Sequence, residues 1–186
     1  MSRSFSSLAF AFVLVLAVAV RLIAGEAAPP PGELKFTAHN AVYNAEGRFA
    51  SWRLTKVDIP GGDLTKGAVE FEVDLASVTE KAEKLTAHLR TPDFLDVAKF
   101  QKATISISGA KAAGEKKYTA TALIDLHGVK GLCPVAFEVV SEKPLAIKGT
   151  AKLDRMAFGV GQPYDAANKY APLNEVGIEL SAKLSE

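Results

Sequence analysis

The sequence predicts an all-β protein, an eight-stranded antiparallel up-and-down barrel with a short helical insert near residues 77–100. Two observations lead to this fold class. Apolar and polar residues alternate at every second position in one segment after another, as in strands that bury one face and expose the other. Only one stretch shows the three- and four-residue spacing of a helix. The connections are mostly short, which favours an up-and-down barrel over a Greek-key sandwich. The parity of the apolar positions, odd or even along a strand, does not by itself distinguish the two architectures.

The first 25 residues have the features of a secretory signal peptide. Arg3 precedes the apolar run 8–20, which is shorter than the roughly 20 residues that span a membrane. Residues 26–32 then form a proline-rich leader, and residues 33–186 form the barrel domain. We therefore expect a periplasmic or secreted protein with no stable membrane span once the signal is cleaved. An uncleaved N-terminal anchor is the alternative.

Eight segments predict the strands. The clearest is 68–75, in which apolar residues alternate with acidic ones. Segment 48–59 carries apolar residues at both parities, so we expect a bulge that brings Phe49 and Trp52 into phase. The remaining six are defined by the following apolar positions: Leu34, Phe36, Ala38 and Val42; Ile105 and Ile107; Tyr118 to Leu126; Val135 to Val139; Ile147 to Leu153; and Val176 to Leu180.

The helical insert is predicted to begin at Ser77. Ser77 and Glu80 have the spacing of a capping box, in which the two residues satisfy each other's backbone groups at a helix start. Apolar residues then recur at helical spacing as far as Leu89. Pro92 suits the first position of a second helical turn. Such an insert in an all-strand chain is expected to cover an edge or an end of the barrel.

The segment from Phe158 to Asn174 shows no alternation and is rich in glycine and proline. Loops longer than about 12–15 residues are uncommon in compact domains and are frequently lids or binding loops. Tyr164 and Tyr170 are therefore candidate lid residues. A surface loop without a role is the alternative.

The inward-facing positions predict the lining of the barrel. An eight-stranded barrel either fills its interior with its own side chains or holds one small ligand. The inward alanines at 120, 122 and 151 leave volume unfilled, which favours a cavity. The residues predicted to line it are Phe71, Val73, Leu75, Ile105, Ile107, Ile124, Phe137, Val139, Ile147, Leu153, Ile178 and Leu180.

Three basic residues are candidates for binding a polar head group. Arg155 shares the inward parity of Leu153, which places it at a barrel mouth, and its planar guanidinium suits phosphate or carboxylate. The structural alternative is that Arg155 pins a strand to a loop. For His88 and Arg90 the alternative is packing of the insert against the barrel.

Charge and motifs argue against several other functions. Removal of Arg3 and Arg21 lowers Lys+Arg from 22 to 20, against 21 Asp+Glu, and a near-neutral surface predicts no nucleic-acid partner. Cys133 is the only cysteine, so we expect a buried structural thiol and no internal disulfide. The three histidines form no metal-ligand motif. No hydrolase elbow, zinc helix or phosphate loop is present, so we predict neither catalysis nor a metal or cofactor.

Three stretches occur in an order and at a spacing that resemble the YceI-like family of exported lipid-binding proteins. Residues 88–97 read HLRTPDFLDV, residues 126–129 read LHGV, and residues 153–161 read LDRMAFGVG. The closing strand at 176–180 is also similar. The chain departs from the family at Thr86, where an aspartate is common, and this departure weakens the transfer of exact ligand contacts.

The resemblance implies a lipocalin-like barrel that encloses a long isoprenoid or another lipid chain. It implies a binding protein that acts in transport, storage or sequestration, with the bound lipid as its partner and no other cofactor. Whether the protein is a homodimer is left open. The alternative is a secreted barrel that acts through its surface, as a structural or stress-associated interaction module without an internal ligand.

Overall fold

The computed structural model describes residues 29–184, and the predicted signal peptide lies outside the described residues. One antiparallel sheet contains all the strands. Short 3-10 helices connect some of them at Pro60–Gly62, Leu64–Lys66, Leu75–Ser77 and Arg155–Phe158. The strands and the single α-helix of the described residues are β1 (Gly32–His39), β2 (Asn44–Phe49), β3 (Trp52–Asp58), β4 (Ala68–Asp74), β5 (Val78–Glu80), α1 (Glu83–Leu89), β6 (Lys102–Gly114), β7 (Lys117–Leu126), β8 (Val129–Glu142), β9 (Leu145–Asp154) and β10 (Glu175–Lys183).

The order of the strands confirms the predicted up-and-down barrel. The sheet runs β3-β4-β6-β7-β8-β9-β10-β1-β2-β5, so most neighbours in sequence are neighbours in space. β1 pairs with β10 along Gly32 to Thr37 and with β2 on its other side. Only Ala50 and Ser51 separate β2 from β3, although these strands lie near opposite ends of the sheet. The chain itself therefore joins the two ends, and the sheet curls around one apolar core.

Residues 29–184 form ten strands where the sequence predicted eight. Segment 48–59 changes partners, because β2 pairs with β1 through Phe49 whereas β3 pairs with β4 through Trp52. One predicted strand is therefore two, and the shift of register within it falls later, between Leu54 and Lys56. The other extra strand, β5, has only three residues and shows no readable alternation.

The predicted capping box is wrong. The helix begins at Glu83 and ends at Leu89, and its N-cap, Ala82, makes no side-chain hydrogen bond. The Ser77 hydroxyl donates to the Asp74 carbonyl at 2.6 Å and accepts from the Ser51 N–H at 3.0 Å. Ser51 belongs to the corner that joins β2 to β3 and Asp74 is the last residue of β4, so Ser77 stabilises the barrel rather than the helix.

The second predicted helical turn is a series of hydrogen-bonded turns instead. Pro92 lies in these turns, where the N–H groups of Phe94 and Asp96 donate to the Thr91 carbonyl at 3.0 and 2.9 Å. The position predicted for Val42 is also wrong. β1 ends at His39, and the Asn40 side chain accepts from the Val42 N–H at 2.9 Å in a turn that exposes Val42.

A two-residue turn at His127 and Gly128 joins β7 to β8. Both residues have positive φ, 56° and 78°, as in the hairpin turns that match the twist of a sheet. A Cβ on Gly128 would lie 2.8 Å from Cε1 of Phe100, so the turn also needs glycine for close packing. The Phe100 and His127 rings have centroids 4.3 Å apart. This contact fixes the end of the insert against the barrel.

Candidate binding cavity

The barrel encloses a cavity of about 240 Å³, just below the 300–1,000 Å³ that is usual for small-molecule sites. Its wall draws on most strands, on the helical insert and on the loop between β9 and β10. Among the described residues that line it, only Cys133, Thr150 and Arg155 have a polar side-chain atom. The cavity can therefore bury an apolar molecule, and it offers almost no hydrogen-bonding partners to a polar one.

The structure places eleven of the twelve predicted lining residues on the cavity wall. The exception is Val139, which packs against the core without reaching the wall. Phe137 occupies the preceding inward position on β8 and lines the cavity, with its ring stacked on that of Tyr118. The eleven on the wall are Phe71, Val73, Leu75, Ile105, Ile107, Ile124, Phe137, Ile147, Leu153, Ile178 and Leu180. That they contact a ligand stays a prediction.

Sequence parity missed the residues that close one end of the cavity. Leu89, Phe94 and Leu95 of the insert line this end, together with Val160 and Pro172 from the loop. None of these residues lies in an alternating segment, so parity could not assign them a side. The available signal was the helical insert itself, which was expected to cover an edge or an end.

Hydrogen bonds within the insert and between the insert and β5 fix its position. The Leu95 N–H donates to the Leu89 carbonyl at 3.1 Å. The Thr86 hydroxyl accepts from the Glu80 N–H at 2.8 Å and lies 3.1 Å from the Glu80 carbonyl. The threonine that departs from the family pattern thus links α1 to β5.

Arg155 lines the cavity, and its guanidinium donors are engaged within the protein. The residue is only 4% exposed. Nε donates to the Leu173 carbonyl at 3.0 Å, and Nη1 donates to the Val160 carbonyl at 2.7 Å and to the Met156 sulfur at 3.2 Å. Nη2 donates to the carbonyls of Gln162 and Pro172, at 2.6 and 2.9 Å.

These bonds account for all five N–H donors of a guanidinium. Burial lowers the pKa of the Arg155 guanidinium, and the nearby Asp154 carboxylate partly offsets that effect. Gly161 approaches so closely that a Cβ there would lie 2.8 Å from Nη1. The geometry matches the structural alternative, in which Arg155 pins the loop to the barrel. Its head-group role stays a prediction, and a ligand would have to displace a loop carbonyl.

The structure places His88 and Arg90 away from the cavity wall. His88 is exposed, and its ring lies edge-on to that of Phe94, with the two ring centroids 4.9 Å apart. Its Nε2 lies 3.5 Å from the Asp93 carboxylate. Arg90 Nη2 donates to the Val78 carbonyl of β5 at 2.9 Å. His88 therefore contacts other residues of the insert, whereas Arg90 attaches the insert to β5.

The loop borders the cavity through residues other than the two predicted tyrosines. Tyr164 and Tyr170 are 44% and 64% exposed, and neither lines the wall. Val160 and Pro172 face the cavity instead. The Leu173 N–H donates to the His39 carbonyl at 2.7 Å, so the far end of the loop is attached to β1.

Cys133 is buried on the cavity wall, as expected for a structural thiol. Burial raises the pKa of the thiol above its ordinary value, which disfavours the nucleophilic thiolate. Within residues 29–184, no three His, Cys, Asp or Glu side chains gather closely enough to hold a metal ion. The same residues contain no helix with the length and apolar character that crossing a membrane requires.

Several solved structures share this fold. Burkholderia cenocepacia BcnA has a TM-score of 0.72 at 20% identity, over 81% of this chain and 94% of BcnA. The Campylobacter jejuni YceI protein has a TM-score of 0.62 at 17% identity, over 80% of this chain and 90% of that protein. A polyisoprenoid binding domain from Saccharophagus degradans has a TM-score of 0.57 at 16% identity, over 83% and 93% of the two chains.

Curated relatives and a family model also match the sequence. A UPF0312 protein of Azotobacter vinelandii is 27% identical over 112 residues, which cover 56% of this chain and 58% of the relative. A UPF0312 protein of Pseudomonas syringae pv. tomato is 30% identical over 105 residues, which cover 56% and 47% of the two chains. The chain thus spans about half the length of the curated relatives it matches. The YceI-like domain model matches residues 28–184, and the chain therefore belongs to the YceI-like domain family.

Proposed function

We propose that this protein is an exported, non-enzymatic binding protein that holds a long apolar lipid, an isoprenoid, inside its barrel. The observation that carries the proposal is the almost wholly apolar wall of the cavity. The family and the shared fold of the Saccharophagus polyisoprenoid binding domain support it. Transport, storage or sequestration of the lipid would follow from such binding.

The size of the cavity bears on how the lipid is held. At about 30 Å³ per water-sized group, 240 Å³ has room for roughly eight such groups. If each group is a methylene whose burial contributes about 0.8 kcal/mol, burial of all eight favours binding by about 6 kcal/mol of free energy. Association costs an estimated 4 kcal/mol or more. A long isoprenoid would therefore bind weakly in the cavity as it stands, and the proposal requires inner side chains to move apart as the ligand enters.

A specific surface feature favours the alternative function. Leu123 of β7 and Leu132 of β8 are directly paired across the outer face of the barrel. Both side chains are exposed, Leu132 by 71%. An apolar cross-strand pair in water is typical of a contact surface. A protein that acted only through this face would need no internal ligand.

Native mass spectrometry and organic extraction test the proposal. The full chain is produced with its own N-terminus, and the exported fraction is analysed for bound lipid. We expect an extractable isoprenoid in the wild type and its loss in Ala122→Phe, which fills the cavity from β7. Thr121→Phe is the matched control, because the neighbouring residue faces outward and is exposed.

The outcomes separate the two functions. Absence of bound lipid, together with no uptake of an added polyprenyl alcohol, would overturn the lipid-binding proposal. Self-association that Leu132→Lys abolishes, in a protein without lipid, would support the surface-acting alternative. Recovery of the chain in the cytoplasmic fraction would contradict export.

A further inference from the structure

A second, smaller cavity of about 40 Å³ lies at the opposite end of the barrel. It is lined by Leu64 and Gly67, which precede β4, and by Leu184, which follows β10. The main cavity is closed instead by the insert, which follows β4, and by the loop that precedes β10. The two cavities therefore occupy opposite ends of the same strands.

One layer of side chains separates the two cavities. Five residues line both cavities, so their side chains form the partition between them. Two belong to the closely packed core and three are only half-buried. This partition layer consists of Phe71, Ile107, Phe137, Ile147 and Leu180.

Trp52 lines the second cavity and has a buried indole N–H. The residue is 3% exposed, and its indole Nε1 is one of two buried side-chain polar atoms without a partner among residues 29–184. The Trp52 and Phe71 rings pack edge to face, with their centroids 5.7 Å apart. The only other polar side chain on the cavity wall is that of Ser108, which is exposed. A buried donor without an acceptor is costly and rare in a folded protein.

A resident water is a poor solution for this donor. The volume of 40 Å³ exceeds the roughly 10–15 Å³ that one water needs. A buried water, however, makes about 2–4 hydrogen bonds. Apart from Trp52 and Ser108, the side chains of this wall are apolar, so a water there would lose most of its bonds.

We propose that the second cavity receives the inner end of the bound isoprenoid, and that Trp52 Nε1 donates a hydrogen bond to an oxygen on that end. This inference rests on the proposed function. The oxygen belongs to a small uncharged acceptor, such as a ketone or an ether, because the apolar wall cannot solvate a charged group. The partition layer opens to let the chain pass, which joins the two cavities into one channel. Trp52 is thus a specificity-determining residue.

A matched pair of branched lipids tests this inference. Phytone is an isoprenoid methyl ketone, and pristane is the hydrocarbon in which a methyl group replaces its ketone oxygen. We expect the wild type to bind phytone about three- to tenfold more tightly than pristane, the effect of one net hydrogen bond. In Trp52→Phe, which keeps an aromatic ring but removes the donor, we expect the two affinities to become equal.

A second measurement uses the wild type alone, in case the variant does not fold. Trp52 is the only tryptophan of the chain, so its indole N–H gives a single side-chain signal in a proton–nitrogen correlation spectrum. We expect phytone to shift this proton downfield and pristane to leave it near its ligand-free position.

Four results decide between the proposals. Equal binding of the two lipids by the wild type, or a preference for phytone that survives in Trp52→Phe, would overturn the role of Trp52 and leave the proposed function intact. An indole signal that responds equally to both lipids would do the same. Failure of the wild type to bind either lipid, or any polyprenyl alcohol, would instead overturn the proposed function.

Discussion

Arg155 Nη1 lies 2.7 Å from the carbonyl oxygen of Val160, and both residues form part of the cavity wall. The guanidinium therefore joins the 3-10 helix that follows β9 to the loop that closes the cavity. Four loop carbonyls, of Val160, Gln162, Pro172 and Leu173, depend on this one side chain. Its replacement exposes or unpairs all four, which gives a direct test.

We expect Arg155→Ala to lower the free energy of unfolding by about 2–4 kcal/mol, because four loop carbonyls, of which that of Val160 is buried, lose charge-assisted donors. Urea unfolding measures this effect, and hydrogen exchange should increase in residues 158–174. Arg53→Ala is the control, since Arg53 forms an exposed ion pair with Glu72 that contributes less than about 1 kcal/mol. Unchanged exchange in the loop would contradict the anchoring role. Unchanged affinity for the lipid would remove Arg155 from the head-group candidates.

We expect Gly128→Ala to destabilise the β7–β8 turn by more than the roughly 1–2 kcal/mol cost of a positive φ, because its Cβ also collides with Phe100. Thermal or urea unfolding measures the loss. Gly61→Ala is the matched control: Gly61 has a φ of 62°, yet a Cβ there meets nothing within 4 Å. Equal losses in the two variants would show that the contact with Phe100 contributes nothing.

We expect Leu180→Ala to open the partition layer, and so to shift the bound lipids toward longer chains at a cost of about 2–5 kcal/mol in stability. Mass spectrometry of extracted lipid measures the chain length. Val139→Ala is the control, because Val139 packs against the core and lines neither cavity. An unchanged lipid profile in Leu180→Ala would show that the layer does not limit chain length.

We expect the Cys133 thiol to make stability depend on pH. Its pKa is raised by burial, so above the ordinary value of 9.0 the unfolded chain loses the thiol proton while the folded protein keeps it. The contribution is present below that value and is lost as the pH rises through the folded pKa. Urea unfolding from pH 7 to 10 measures the slope, and Cys133→Ala should reduce it. Identical slopes in the two proteins would refute the effect.

Parity identified most of the cavity wall because the side of a strand on which a residue lies is a local property. Phe71 and Val73, for example, must share a face whatever β4 pairs with. Parity failed where the ladder ended or shifted. Val139 lies beside a shift of register between β8 and β9, and Val42 lies beyond the end of β1.

Local motifs failed where a distant residue competed for the same atoms. Ser77 and Glu80 have the spacing of a capping box, yet Ser77 binds Ser51, and Glu80 accepts a hydrogen bond from the Tyr43 hydroxyl at 2.6 Å. These partners lie 26 and 37 residues away. Nothing near Ser77 in the sequence could have indicated them.

The sequence by itself determined the all-β class, the inward faces of the strands and the place of the insert, because these depend on the period of a strand and on neighbouring residues. Only the tertiary structure decided that Arg155 holds a loop, that Trp52 Nε1 meets no acceptor in the described part of the chain, and that a partition layer divides the interior into two cavities. Each of these depends on which distant segments meet, and the alternation of side chains along one strand contains no information about that meeting.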